Sequence, residues 1–175
     1  IVTMRDGRVL IAGGRNFDNP SAPGAKVHDS AEIFDPKTNA FTPTGSLKVP
    51  RNMFMAILLD DGRVLITGGG NNAGGAGSMA YDTAEIYDPA AGTFKLLESK
   101  MSVPRQYHNI VKLLDGTVLV VGGSRGPGLK NANTKVDRFD PVTETFTFVG
   151  ETHSPIGCNA CASVLRDGRV ILSGS

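Results

Sequence analysis

Phenol and imidazole stand side by side in the segment Pro104-Arg105-Gln106-Tyr107-His108-Asn109-Ile110. Both groups suit copper, and neighbouring side chains can converge on one ion where a strand starts irregularly. A third ligand is not evident, since His28 falls in a loop-like stretch and His153 just before a strand-like one. Tyr107 and His108 are therefore read first as binding or structural residues, and as copper ligands only in the alternative. Arg105 has a counterpart at Arg51, each following a proline. A guanidinium offers a fork of donors to carboxylates, so Arg51 and Arg105 could meet an acidic ligand. They could also pair with Glu32 and Glu85, which lie in strand-like segments, and this structural use is favoured. In the last copy Gly157 and Asp137 stand where arginine and glutamate would. Arg51, Arg105, Tyr107 and His108 form the candidate binding set.

Cys158-Asn159-Ala160-Cys161 has the spacing of half a zinc site or of a redox pair. A structural zinc needs four ligands, and no second pair exists. A redox pair needs a helix N-terminus to stabilise thiolate, and the pattern here is that of a strand. Two small buried thiols are expected. No phosphate loop, Ser-His-Asp arrangement or acid–base carboxylate pair is evident. The glycines at 68–70, 74, 75 and 77 precede no helix, so they read as loop rather than nucleotide cradle. The net charge of +1 gives no field favouring nucleic acid, and no apolar run approaches the roughly 20 residues of a membrane span.

These residues sit in a chain that repeats itself. Asp6-Gly7-Arg8-Val9-Leu10-Ile11-Ala12-Gly13-Gly14 returns at Asp61–Gly69, at Asp115–Gly123 and, worn, at Asp167–Gly174. The turn glycines Gly7, Gly62, Gly116 and Gly168 are spaced by 55, 54 and 52 residues. Such a period, carried by strand-like segments, points to a propeller or another repeat architecture. Apolar segments 52–59, 106–114 and 158–165 precede the Asp-Gly pairs, and two apolar strands around Asp-Gly predict a tight hairpin. Unpatterned connections follow at 15–29, 70–82 and 124–134, long enough for a binding role.

A third strand then runs into Asp35-Pro36, Asp88-Pro89 or Asp140-Pro141, and Phe41, Phe94 or Phe146 opens a fourth. Proline presets the turn, and aspartate can bond the backbone beyond it. Asn39 and Gly92 suit a left-handed turn position, whereas Glu144 suits it less well. The repeats are placed at 15–69, 70–123 and 124–175, with 1–14 closing an earlier one.

Taken together, Asp-Gly-Arg-Val-Leu-Ile-x-Gly-Gly, Ala-Glu-Ile-Phe/Tyr-Asp-Pro, the aromatic and Pro-Arg resemble kelch repeats, in the wording of the galactose oxidase central domain. The resemblance implies an all-β propeller segment of three four-stranded antiparallel blades plus part of a fourth. A kelch ring has about six or seven blades, so the remainder is expected from the parent chain or another subunit. It also implies a binding or scaffold module for a protein or glycan, extracellular or at the cell surface, with no cofactor. The alternatives are a portion of a copper radical oxidase, which Tyr107-His108 and Cys158 resemble, and a structural spacer.

Overall fold

The computed structural model describes residues 1–16, 26–71, 79–126, 131–157 and 160–173. Three four-stranded antiparallel sheets follow one another, and each takes its strands in chain order. The first holds β1 (Val2–Thr3), β2 (Val9–Ala12), β3 (Ala31–Asp35) and β4 (Ala40–Pro43). The second holds β5 (Met55–Leu58), β6 (Val64–Thr67), β7 (Ala84–Asp88) and β8 (Thr93–Leu96). The third holds β9 (Asn109–Lys112), β10 (Val118–Val121), β11 (Asn133–Asp140) and β12 (Thr145–Ile156). A two-stranded sheet, β13 (Cys161–Val164) with β14 (Val170–Ser173), comes last, and no α-helix occurs among the described residues. The sheets fan about their first strands: β5 lies between β1 and β9, and β13 lies against β9. This is the expected incomplete ring. The sequence cuts at 15, 70 and 124 fall between second and third strands, so each four-stranded sheet draws two strands from each of two consecutive units.

Local chemistry makes the turns. Asp6, Asp61, Asp115 and Asp167 each accept a hydrogen bond from the backbone N–H two residues on, at 2.9–3.1 Å. Asp35, Asp88 and Asp140 do the same beyond the third strand, each at 2.8 Å. Phe41, Phe94 and Phe146 lie opposite Phe34, Tyr87 and Phe139 in register, with ring centroids 4.8, 4.7 and 4.9 Å apart.

Alternation along the strands builds two seams. Met4, Leu10, Ala31 and Ile33 of the first sheet and Leu47 of the linker after it pack on Val64, Ile66, Tyr87 and Phe94 of the second. Leu59, Leu65, Ala84, Ile86 and Leu97, from the opposite face of the second, pack on Val118 and Phe139 of the third. Burial on both faces explains why Val64, Leu65 and Ile66 read as an unbroken apolar run.

Candidate functional site

The long connections and the arginine-bearing linkers meet at one end of the sheets. Each four-stranded sheet ends its second strand in two glycines, and the next linker crosses them. Gly14 N–H donates to Arg51 O at 2.9 Å, Gly69 N–H to Arg105 O at 2.9 Å and Gly123 N–H to Ile156 O at 2.8 Å. The glycine before each leaves room for that carbonyl: a Cβ on Gly13, Gly68 or Gly122 would stand 2.5, 2.3 or 2.5 Å from the same oxygen. The pair is thus a clasp between neighbouring sheets, and it needs the absence of a side chain. Isolated bridges Arg15↔Val27, Gly70↔Ala80 and Ser124↔Ala132 carry the pairing outward into the connections. Parts of those connections, residues 17–25, 72–78 and 127–130, lie outside the described residues.

Beneath the clasps lie the two arginines. Arg51 and Arg105 are both 0% exposed. Arg51 Nη2 meets Glu85 Oε1 at 2.9 Å, and Nη1 donates to Gly68 O at 2.7 Å and Thr83 O at 3.2 Å. Glu85 also accepts from Lys48 N–H at 2.7 Å and Val49 N–H at 3.1 Å in the incoming linker. Arg105 repeats the device: Nη2 pairs with Asp137, and Nη1 donates to the carbonyls of Val120, Gly122 and Lys135. Asp137 in turn accepts from Ser102 N–H at 3.0 Å and Ser102 Oγ at 2.9 Å. Burial pushes the Arg105 guanidinium down to about 10 against the pull of Asp137, and lowers Arg51 against Glu85. Both stay charged at neutral pH, and burial withdraws both from direct contact with an external ligand.

The ion-pair expectation was right in kind and displaced by one sheet. Arg51 takes Glu85 rather than Glu32, and Arg105 takes Asp137 rather than Glu85. The linker arginine reaches the third strand of the sheet it enters, not of the sheet it leaves. Asp137 therefore keeps an arginine partner, and no loss at Gly157 accompanies it.

Tyr107 is half-buried and holds a positive φ of 55°, matching 54° at Met53 in the preceding repeat. Its N–H donates to Met53 O at 3.2 Å, so these residues link linker to linker near the hub. His108 is 2% exposed, and its Nε2 bonds Thr67 Oγ1 across the second seam at 2.7 Å. Burial and then Arg105 push its pKa down to about 3, so the ring is neutral. Of its ring nitrogens, Nε2 is engaged by Thr67 and Nδ1 is buried without a hydrogen-bond partner. No group of three or more His, Cys, Asp or Glu able to hold a metal occurs among the described residues.

Cys161 is exposed, which corrects the expectation of a buried thiol: β13 belongs to a two-stranded sheet whose alternate residues have no third strand beside them. Cys158 lies outside the described residues.

Sequence reasoning missed a polar network under the third clasp. Gln106 Nε2 donates to Gly126 O at 2.6 Å, and Asn133 Nδ2 donates to Gly122 O and Gly123 O at 3.0 and 2.8 Å. The signal lay in the linker residue after each arginine, Asn52 or Gln106, both buried amides. A shallow cavity of about 580 Å³ opens beside this network, lined by Arg125 and residues 131–135.

Known proteins share this architecture. Residues 2–48 and 113–152 match the family profile described as the Kelch motif. Spermatocyte protein spe-26 of Caenorhabditis elegans is 30% identical over 127 residues, which is 72% of this chain and 20% of that protein. The solved structure of YjhT superposes with a TM-score of 0.74 at 17% identity, over 93% of this chain and 54% of the other. A fungal alcohol oxidase solved in complex with copper superposes with a TM-score of 0.67 at 18% identity, over 96% and 46%. The chain thus spans a fifth of the first relative's length and about half of each solved chain.

Proposed function

Since the chain is built from kelch repeats folded as propeller blades, we propose that it is a binding module for a protein or glycan. The ligand meets the end of the sheets that carries the long connections. One observation supports this above the others: every second-to-third-strand connection springs from a glycine clasp that also anchors the next linker. Variable segments therefore stand on rigid feet, the arrangement that suits recognition. Asn71, Met79 and Arg125, exposed at the feet of these connections, are the described residues placed to meet the ligand. The rest of the ring comes from the parent chain or from another subunit.

The test uses a glycan array and a phage-displayed peptide library panned against the protein. Replacing Asn71, Met79 and Arg125 together with alanine is expected to weaken the selected ligands at least tenfold. Val142→Ala, in the exposed turn at the opposite end of the third sheet, is expected to leave them unchanged. Failure to find any ligand that the triple variant weakens would overturn the reading and favour a spacer.

A further inference from the structure

The two seams are built on one plan, yet their outer grooves differ in chemistry. In the groove between the second and third sheets, Glu144 reaches back to the second sheet. It accepts from Arg63 Nη1 at 2.5 Å and from Lys95 Nζ at 2.7 Å, while Arg63 Nη2 donates to Pro141 O at 3.0 Å. Between the first and second sheets the corresponding residues are Gly92, Arg8, Thr42 and Pro89. No carboxylate crosses there. A cavity of about 360 Å³ occupies the groove, at the lower end of the range of small-ligand sites. Both walls belong to this chain.

The lining differs mostly in one direction. Thr38, Thr42, Thr44 and Tyr87 border the cavity, each bringing a hydroxyl; Ala91, Lys95, Leu97 and Phe139, none of which carries one, hold the matching positions of the second groove, while on the facing wall Thr143 replaces Ala91. Thr44 Oγ1 donates to Gly92 O at 3.2 Å and lies 2.8 Å from the Tyr87 hydroxyl. With its one proton on Gly92, Thr44 receives the Tyr87 proton, which leaves the tyrosine oxygen as an acceptor. Arg8 spends its Nε on Asp6 at 2.7 Å, and its two terminal nitrogens bond nothing among the described residues. Asp35 lines the same cavity. Arg8 already feels the charges of both Asp6 and Asp35, and the Lys95 charge is missing, so an incoming anion would meet net repulsion.

We propose that this groove binds a neutral, hydroxyl-rich ligand of the saccharide class. Sugar hydroxyls both donate and accept, which matches paired guanidinium and carboxylate beside a row of threonines. The site is separate from the loop end, and it does not depend on the binding function proposed there.

The probes are D-glucose, D-galactose, D-mannose, N-acetyl-D-glucosamine, lactose and cellobiose, followed by saturation-transfer NMR on the whole protein. At least one is expected to bind. Gly92→Glu installs the carboxylate of the other groove at a φ of 66° that Glu144 matches at 55°, and is expected to weaken binding at least tenfold. Thr42→Val combined with Asp35→Asn is expected to do the same, and decides the matter if Gly92→Glu melts early. The Asn71/Met79/Arg125 alanine variant should leave saccharide binding intact, which separates failure here from failure of the loop-end reading. Absence of transfer from every saccharide, or undiminished transfer in the folded groove variants, would overturn the proposal.

Discussion

Arg51 and Glu85 illustrate what single residues do here. Their side chains are wholly buried, and each also satisfies backbone groups of the linker or sheet. Removing one partner leaves a buried charge alone, which costs about 3–5 kcal/mol. Arg51→Met and Glu85→Gln should therefore each be strongly destabilising, while the double variant loses much less than their sum. Urea melts would read this as a coupling energy; additive losses would dismiss the pairing, and Arg105 against Glu85 serves as the non-paired control. His108 supplies a pH dependence. Its folded pKa of about 3 lies below the ordinary 6.5, so only the unfolded chain takes up a proton between these values. Stability due to this ring is intact above pH 6.5 and falls by about 1.4 kcal/mol per pH unit as pH drops towards 3. His108→Phe should remove that portion of the acid slope, measured as the difference between the two proteins' stabilities across pH 4–7. The sequence displayed both residues, but not their neighbours. A repeat period says where an arginine recurs and is silent on whether it reaches forward or back by one copy.

At the scale of elements, the turns were the most legible part, because aspartate, glycine and proline act on backbone within two residues of themselves. Glu144 shows the limit of that locality. The sequence marked it as poorly suited to a left-handed turn, yet it adopts a φ of 55°. Two cations of the neighbouring sheet hold its carboxylate below the usual range, Lys95 first and Arg63 with it, and tertiary contact overrides local preference. The glycine pair was legible as a close approach, though not as a hydrogen-bonded clasp. Gly68→Ala should separate the two ingredients. Alanine at positive φ costs about 1–2 kcal/mol by itself. Gly7, at φ 85° with open space around it, serves as the reference. Gly68→Ala adds a Cβ 2.3 Å from Arg105 O and should lose at least 2 kcal/mol more than Gly7→Ala in chemical denaturation. Equal losses would mean that the clasp tolerates displacement.

For the whole molecule, repetition made the architecture readable, and departures from repetition hid the rest. The hydroxyl-lined groove appears only when two seams are laid over each other, since no short motif contains Thr38, Thr44, Tyr87 and Arg8 together. The same comparison shows each sheet with two unlike sides. One offers the Leu10, Ala31 and Ile33 set, and the other offers the Val64, Tyr87 and Phe94 set. Such surfaces fit each other but not themselves. Twofold pairing through these sides is thereby disfavoured, and any added sheet, from whatever source, joins head to tail. Direction is built into the fold: growth along it either turns back to its own start or continues as a filament, and the angle between successive sheets decides which.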